Sequence, residues 1–147
     1  MRSVSIIIPC LNEERYIKKC IDSLVHAGQL SNLEIIVVDG MSGDKTRGIL
    51  YQMTKKIPFL KVLDNPKKST PHALNIGIEQ ASGEVIMRMD AHCTYPEGYV
   101  SRLLTELEES GADNVGGVWR SLPGSDSDKS LAVSLATSDK FCVGNGN

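Results

Sequence analysis

The chain of 147 residues has no apolar run long enough to cross a bilayer, a task that takes about 20 consecutive apolar residues. It also lacks any basic run longer than two residues. Doublets such as Lys55-Lys56 and Lys67-Lys68, with a net charge of -2, are too little for a polybasic membrane anchor or a nucleic-acid surface. No two of Cys10, Cys20, Cys93 and Cys142 form a C-x-x-C pair. They read as reduced thiols of a cytoplasmic protein, with Cys20 a core residue of a helix. At the N-terminus, Arg2 precedes only a short apolar stretch and then Glu13-Glu14-Arg15, unlike a signal peptide. The turn after that stretch, Pro9-Cys10-Leu11-Asn12-Glu13, contains no glycine. This excludes a G-x-G-x-x-G dinucleotide fingerprint and the glycine-rich basic loop with which a nucleotidyltransferase would hold a triphosphate.

What is present is an ordinary globular balance, 41% hydrophobic and 23% charged, enough for one domain over 1–147 with a real core. Short runs rich in β-branched residues predict strands at Val4–Ile8, Glu34–Val38, Leu60–Leu63 and Glu84–Met87, with a fifth at Asn114–Val118. Between them lie helical patterns. The first uses Ile17, Cys20, Ile21, Leu24 and Val25, with Asn12 as N-cap and Glu13-Glu14 in the first turn. The second uses Ile49, Leu50, Met53 and Ile57. The third opens with Thr70 as N-cap and Pro71 as first residue, turns Leu74, Gly77, Ile78 and Ala81 inward, and stops at Gly83. The fourth uses Val100, Leu103, Leu104 and Leu107 and closes near Gly111. Residues 121–129 read as an exposed loop and Leu131–Ala136 as a short helix. Four successive β-α units predict an α/β fold: a mostly parallel, doubly wound sheet with helices on both faces. Ligands of such sheets bind beyond the carboxyl ends of the strands, where strand order reverses.

Three polar clusters fall at those ends. Asp39, followed by Gly40 and Gly43, offers an acceptor for a base N–H or a ribose hydroxyl; Asp44 is either part of that site or a helix cap. Pro9, Asn12 and Glu13 would wall the same space, or simply form a turn. Asp90 and His92, in Arg88-Met-Asp-Ala-His92, are two apart, so in an extended segment they face one side and can share a divalent ion. Carboxylate oxygen suits Mg²⁺ or Mn²⁺, and imidazole favours Mn²⁺. Arg88 shares that alternation and would pair with Asp90 or a phosphate. Lys67, Lys68 and His72 lie at the start of the third helix, either as an anion site or as solvated charges. Trp119 is a core residue or a sugar platform.

These residues resemble a family. Ile8–Glu13, Val38–Thr46, Ala73–Gly77 with Ala81–Gly83, and Asp90–His92 are together similar to the N-terminal part of family 2 glycosyltransferases, which have the GT-A fold. The wording around Asp90 is most similar to bacterial exopolysaccharide enzymes of the succinoglycan type. The resemblance implies a nucleotide-sugar donor, a UDP-sugar, and inverting transfer to a hydroxyl of a saccharide or lipid-linked acceptor. It places Pro9, Asn12, Glu13, Asp39, Asp44 and Lys68 around the nucleotide. Asp90 and His92 stand at the family's D-x-D metal motif, with Mn²⁺ or Mg²⁺ as cofactor. His92 stands where aspartate is commoner.

The resemblance further implies a carboxylate base beyond Asn147, past a glycine-rich segment like residues 141–147. The chain therefore reads as a truncated GT-A domain, cytoplasmic, and at the inner face of the membrane in a longer protein. A nucleotide-sugar-binding module without transfer activity is the alternative.

Overall fold

The computed structural model describes residues 2–27, 32–118 and 120–138. Trp119, Cys142 and the glycine-rich segment 141–147 lie outside the described residues. The chain forms two compact units, Met1–Arg102 and Leu103–Asn147.

The first unit holds a parallel sheet of β1 (Val4–Cys10), β2 (Leu33–Asp39), β3 (Leu60–Asp64) and β4 (Val85–Arg88), in the order β3-β2-β1-β4. The connecting helices are α1 (Ile17–Ala27), α2 (Thr46–Thr54) and α3 (Thr70–Gln80). The first two crossovers step outward from β1, and the third returns past it to β4. Strand order thus reverses between β1 and β4, which locates the ligand-binding crevice of a doubly wound sheet.

Register explains why the strands are apolar throughout. Ile7 pairs with Ile36 and Pro9 with Val38, on the face covered by Ala73, Leu74 and Ile76 of α3. Ile6 pairs with Ile35 and Ile8 with Val37, on the opposite face. All four of these residues are fully buried, so a second layer covers them. Ile17, Cys20, Ile21 and Leu24 of α1 are equally buried, and α1 packs beside α2. Each fully buried Ile or Val contributes roughly 1.5–3 kcal/mol.

Several expectations need correction. Asn12 does not cap α1: it sits five residues before Ile17 with φ 56° and bonds to a different loop. Glu13 and Glu14 precede the helix, and the Glu13 carbonyl accepts from Ile17 N–H. Ile57 lies beyond the end of α2. Ser69, not Thr70, is the N-cap of α3, and Ile78 is 53% exposed while Ala73 and Gly77 are buried. The cause is Gly77. A Cβ there would lie 2.4 Å from Ile7 Cγ2, so the helix comes closest to β1 at residues 73 and 77.

The second unit contains most of α4 (Tyr99–Ser110) and α5 (Asp128–Ser138). Gly111 follows α4 at φ +63°, as a C′ glycine does. The fifth strand expected at 114–118 does not form among the described residues. Residues 114–118 have no strand pairing, and Val118 is 76% exposed. Gly116-Gly117 gives that stretch no side chains to pack, and a strand without a partner gains nothing. The expected short helix is longer and begins at Asp128, because Ser127 Oγ accepts from Ser130 N–H as an N-cap.

Candidate functional site

The ends of β1 and β2 continue into two turns that bond directly to each other. Gly40 N–H reaches the Cys10 carbonyl at 2.7 Å. Asn12 N–H donates to Ser42 Oγ, and Asn12 Oδ1 accepts from Gly43 N–H. Glu13 N–H donates to Thr46 Oγ1, and Glu14 N–H to Asp44 Oδ2. Lys45 N–H closes the set on Glu14 Oε2. Asp44 Oδ1 also accepts from Thr46 N–H at the start of α2. Burial raises and these hydrogen bonds lower the Asp44 pKa, with a net fall below its ordinary value. Asn12 and Asp44 are therefore fasteners between turns, with Asp44 acting on α2 as well.

Asp39 is fully buried at the last position of β2. Its Oδ1 accepts from Ser42 Oγ at 2.5 Å, and its Oδ2 from Ser42 N–H at 3.0 Å and Arg47 Nη1 at 2.7 Å. The same guanidinium nitrogen reaches Asp64 Oδ1, at the end of β3, at 2.8 Å. The hydrogen bonds it donates to Asp64 and then Asp39 raise the Arg47 pKa further. Sequence reasoning missed Arg47, because nothing local shows that the ends of β2 and β3 lie side by side.

Beyond β4, Met89 N–H still pairs with the Ile7 carbonyl, but the chain then turns. Cys93 N–H closes the turn on the Asp90 carbonyl at 3.2 Å. Asp90 and His92 do come together, but through this turn and not through the extended alternation expected. The turn also brings in Cys93, which sequence reasoning left as an ordinary thiol. One ligand atom each from Asp90, His92 and Cys93 lies within 4.8 Å of the others. This oxygen, nitrogen and sulfur set fits a divalent cation.

Several groups hold the turn. Tyr95 Oη accepts from Asp90 N–H at 2.9 Å and lies 3.3 Å from the Asp90 carbonyl, to which it donates. Cys20 Sγ reaches that carbonyl from α1. Arg88 Nη2 pairs with Asp90 Oδ1 at 3.1 Å, as expected. His92 Nδ1 lies 3.1 Å from Glu13 Oε1, a link between the first and last turns that sequence reasoning did not find. Burial, chiefly, pushes the Cys10 and Cys20 thiols up to about 12, so both stay protonated.

A cavity of 420 Å³ opens where these turns meet, lined in part by Pro9, Glu13, Lys68, Arg88, Asp90 and His92. Lys68 reaches it from a positive-φ turn (φ 55°) just before α3, and Thr70 lines it too. Of the eight residues expected at the site, Pro9, Glu13, Lys68, Asp90 and His92 line this cavity, while Asn12, Asp39 and Asp44 are not among its lining residues.

Comparison with known proteins bears on the fold. The family model "Glycosyl transferase family 2" matches residues 5–139. The succinoglycan biosynthesis protein ExoA of Rhizobium meliloti is 37% identical over 112 residues, covering 75% of this chain and 34% of that protein. This chain spans about a third of the length of the curated relatives it matches. Among solved structures, the mannosyltransferase PcManGT from Pyrobaculum calidifontis, in complex with GDP-Man and Mn²⁺, superposes with TM-score 0.68. It is 25% identical, and the match covers 72% of this chain and 32% of that one. S. aureus TarS in complex with UDP-GlcNAc gives TM-score 0.66 and 26% identity over 84% of this chain and 38% of that one.

Proposed function

The chain belongs to glycosyl transferase family 2 with its GT-A sheet, and on that premise we propose that its first unit binds a nucleotide-diphosphate sugar for transfer to an acceptor hydroxyl. The carrying observation is one cavity at the switch point, which joins the β1 turn, the start of α3 and the Asp90–Cys93 turn. In this reading the base lies toward Pro9 and the buried Asp39. Asp39 is itself fully buried and accepts three hydrogen bonds from Ser42 and Arg47, so in this reading it fixes the turn beside the base. The diphosphate lies along Lys68 and Arg88. Asn12 and Asp44 act by holding the two turns together.

Asp90 and His92 would hold Mn²⁺ or Mg²⁺, which supplies Lewis-acid charge to a diphosphate leaving group. Glu13 fits this role for His92. An Nδ1–H donated to Glu13 fixes the ring and leaves Nε2 open toward a cation. The acceptor hydroxyl gives its proton to a general base as its oxygen bonds to the anomeric carbon, and the sugar–diphosphate bond breaks on the opposite face, which inverts that carbon. A UDP-sugar and a saccharide or lipid-linked acceptor in exopolysaccharide synthesis are the donor and acceptor we favour. The similarity to ExoA supports them, as does the UDP-GlcNAc bound to TarS.

Calorimetry tests the reading. UDP should bind about tenfold tighter with Mn²⁺ than without it. Equal affinity removes the cation from the site, and a preference for GDP overturns the uridine assignment.

A further inference from the structure

The Asp90–Cys93 turn contains a donor that the reading above leaves unused. Because Cys93 N–H closes the turn on the Asp90 carbonyl, residues 90 and 93 are brought together at its base, with His92 between them. The three ligand atoms lie within 4.8 Å of one another. A tetrahedral site with metal–ligand bonds near 2.0–2.3 Å needs its ligand atoms roughly 3.5 Å apart. Side-chain rotation alone can supply the remaining ångström, since His92 is exposed and Asp90 and Cys93 are half-buried.

We propose that Cys93 is a third protein ligand of the cation held by Asp90 and His92, and that the site prefers a thiophilic ion such as Zn²⁺ or Co²⁺ over Mg²⁺. This rests on the reading of Asp90 and His92 as cation ligands. Two of the three donors are then nitrogen and sulfur. Mg²⁺ takes oxygen ligands and keeps much of its water, whereas imidazole and thiolate suit Zn²⁺ and Co²⁺. Three protein ligands leave a fourth tetrahedral position open, the arrangement of catalytic rather than structural zinc sites. A diphosphate oxygen fits that position, because Lys68 and Arg88 line the same cavity. Cys10 and Cys20 do not compete for this role, being 5% and 0% exposed inside the core.

Titration of the metal-free protein with Co²⁺, followed by absorption, tests the proposal. The expected result is a near-ultraviolet thiolate-to-cobalt charge-transfer band that saturates at one equivalent and is absent from Cys93→Ser. That variant should still bind Mn²⁺, and should lose Zn²⁺ affinity by at least the roughly 10–100-fold that an outer-shell partner is worth. A second measurement on the unaltered chain avoids any folding defect. Iodoacetamide labelling of Cys93, read by mass spectrometry, should slow in Zn²⁺ and not in Mg²⁺.

Co²⁺ binding without the band, a band that persists in Cys93→Ser, or labelling indifferent to Zn²⁺ each overturn the thiolate ligand while leaving Asp90 and His92 in place. Failure of Zn²⁺, Co²⁺ and Mn²⁺ all to bind by calorimetry overturns the underlying reading as well.

Discussion

The two rims of the sheet carry similar polar residues and use them in opposite ways. At the amino end, Glu34 sits in a ring of donors. Ser5 Oγ, Ser82 N–H and Ser82 Oγ all bond its Oε1, and Lys61 Nζ bonds its Oε2 at 2.7 Å. Its side chain is only 11% exposed. At the carboxyl end, Asp90 and His92 stay 45% and 59% exposed, with ligand atoms converging beside a cavity. The amino rim also borders a cavity, of 300 Å³. A hollow lined with polar groups is therefore not what separates them. The difference is saturation: a carboxylate whose lone pairs are filled by the protein ties elements together, and one that keeps them open can bind something else.

The comparison breaks or sharpens at three points. The largest effect concerns Glu34. Burial opposes its charge, but the bonds from Lys61, Ser5 and Ser82 win and pull its pKa from 4.5 to about 2. A folded-state pKa below the unfolded one gives stability that is complete above pH 4.5 and lost as pH falls toward 2. Glu34→Gln should therefore remove up to about 3 kcal/mol at neutral pH and flatten acid unfolding across that window, measured by circular dichroism. UDP affinity should not change. A change would mean that the amino rim also serves the ligand.

Next is Asp90→Asn, which should remove most of the roughly tenfold gain in UDP affinity that Mn²⁺ gives. Its thermal midpoint should stay near that of the unaltered chain, because the side chain is half in solvent. A large loss of stability with no change in UDP binding would make this rim structural too.

The smallest effect probes the layer between the rims. Gly77→Ala puts a methyl group 2.4 Å from Ile7 Cγ2. Overpacking costs about 1–3 kcal/mol, and the better helix propensity of alanine returns about 1. A net loss near 1 kcal/mol in urea unfolding, with ligand binding intact, is the expected outcome. Stabilisation would show that α3 can back away from β1.

Reading particular residues shows what was legible beforehand. The apolar runs at β1 and β2 were plain because burial on both faces leaves no polar positions, and the four observed strands fall within a few residues of expectation. Val115 and Val118 carry a similar local signal, yet 114–118 pairs with nothing, because strand formation depends on a partner that composition does not show. At the site, Lys68 and Asp90 were legible from their positions beside element ends. The Glu13–His92 contact spans 79 residues of sequence and left no local trace. Cys93 was hidden by the assumption of an extended chain, which a single hydrogen bond closing the turn overrides.

The sequence by itself determined the α/β alternation, the turns that would carry chemistry and the family, because periodicity, capping residues and motif wording are local properties. The tertiary structure alone decided which polar residues are fasteners and which are free to bind. Asn12, Asp44 and Glu34 became fasteners, and Glu13, Lys68, Asp90 and His92 were set around one opening. A side chain's function depends on how much of its hydrogen-bonding capacity the rest of the chain has already taken, and only the folded arrangement fixes that.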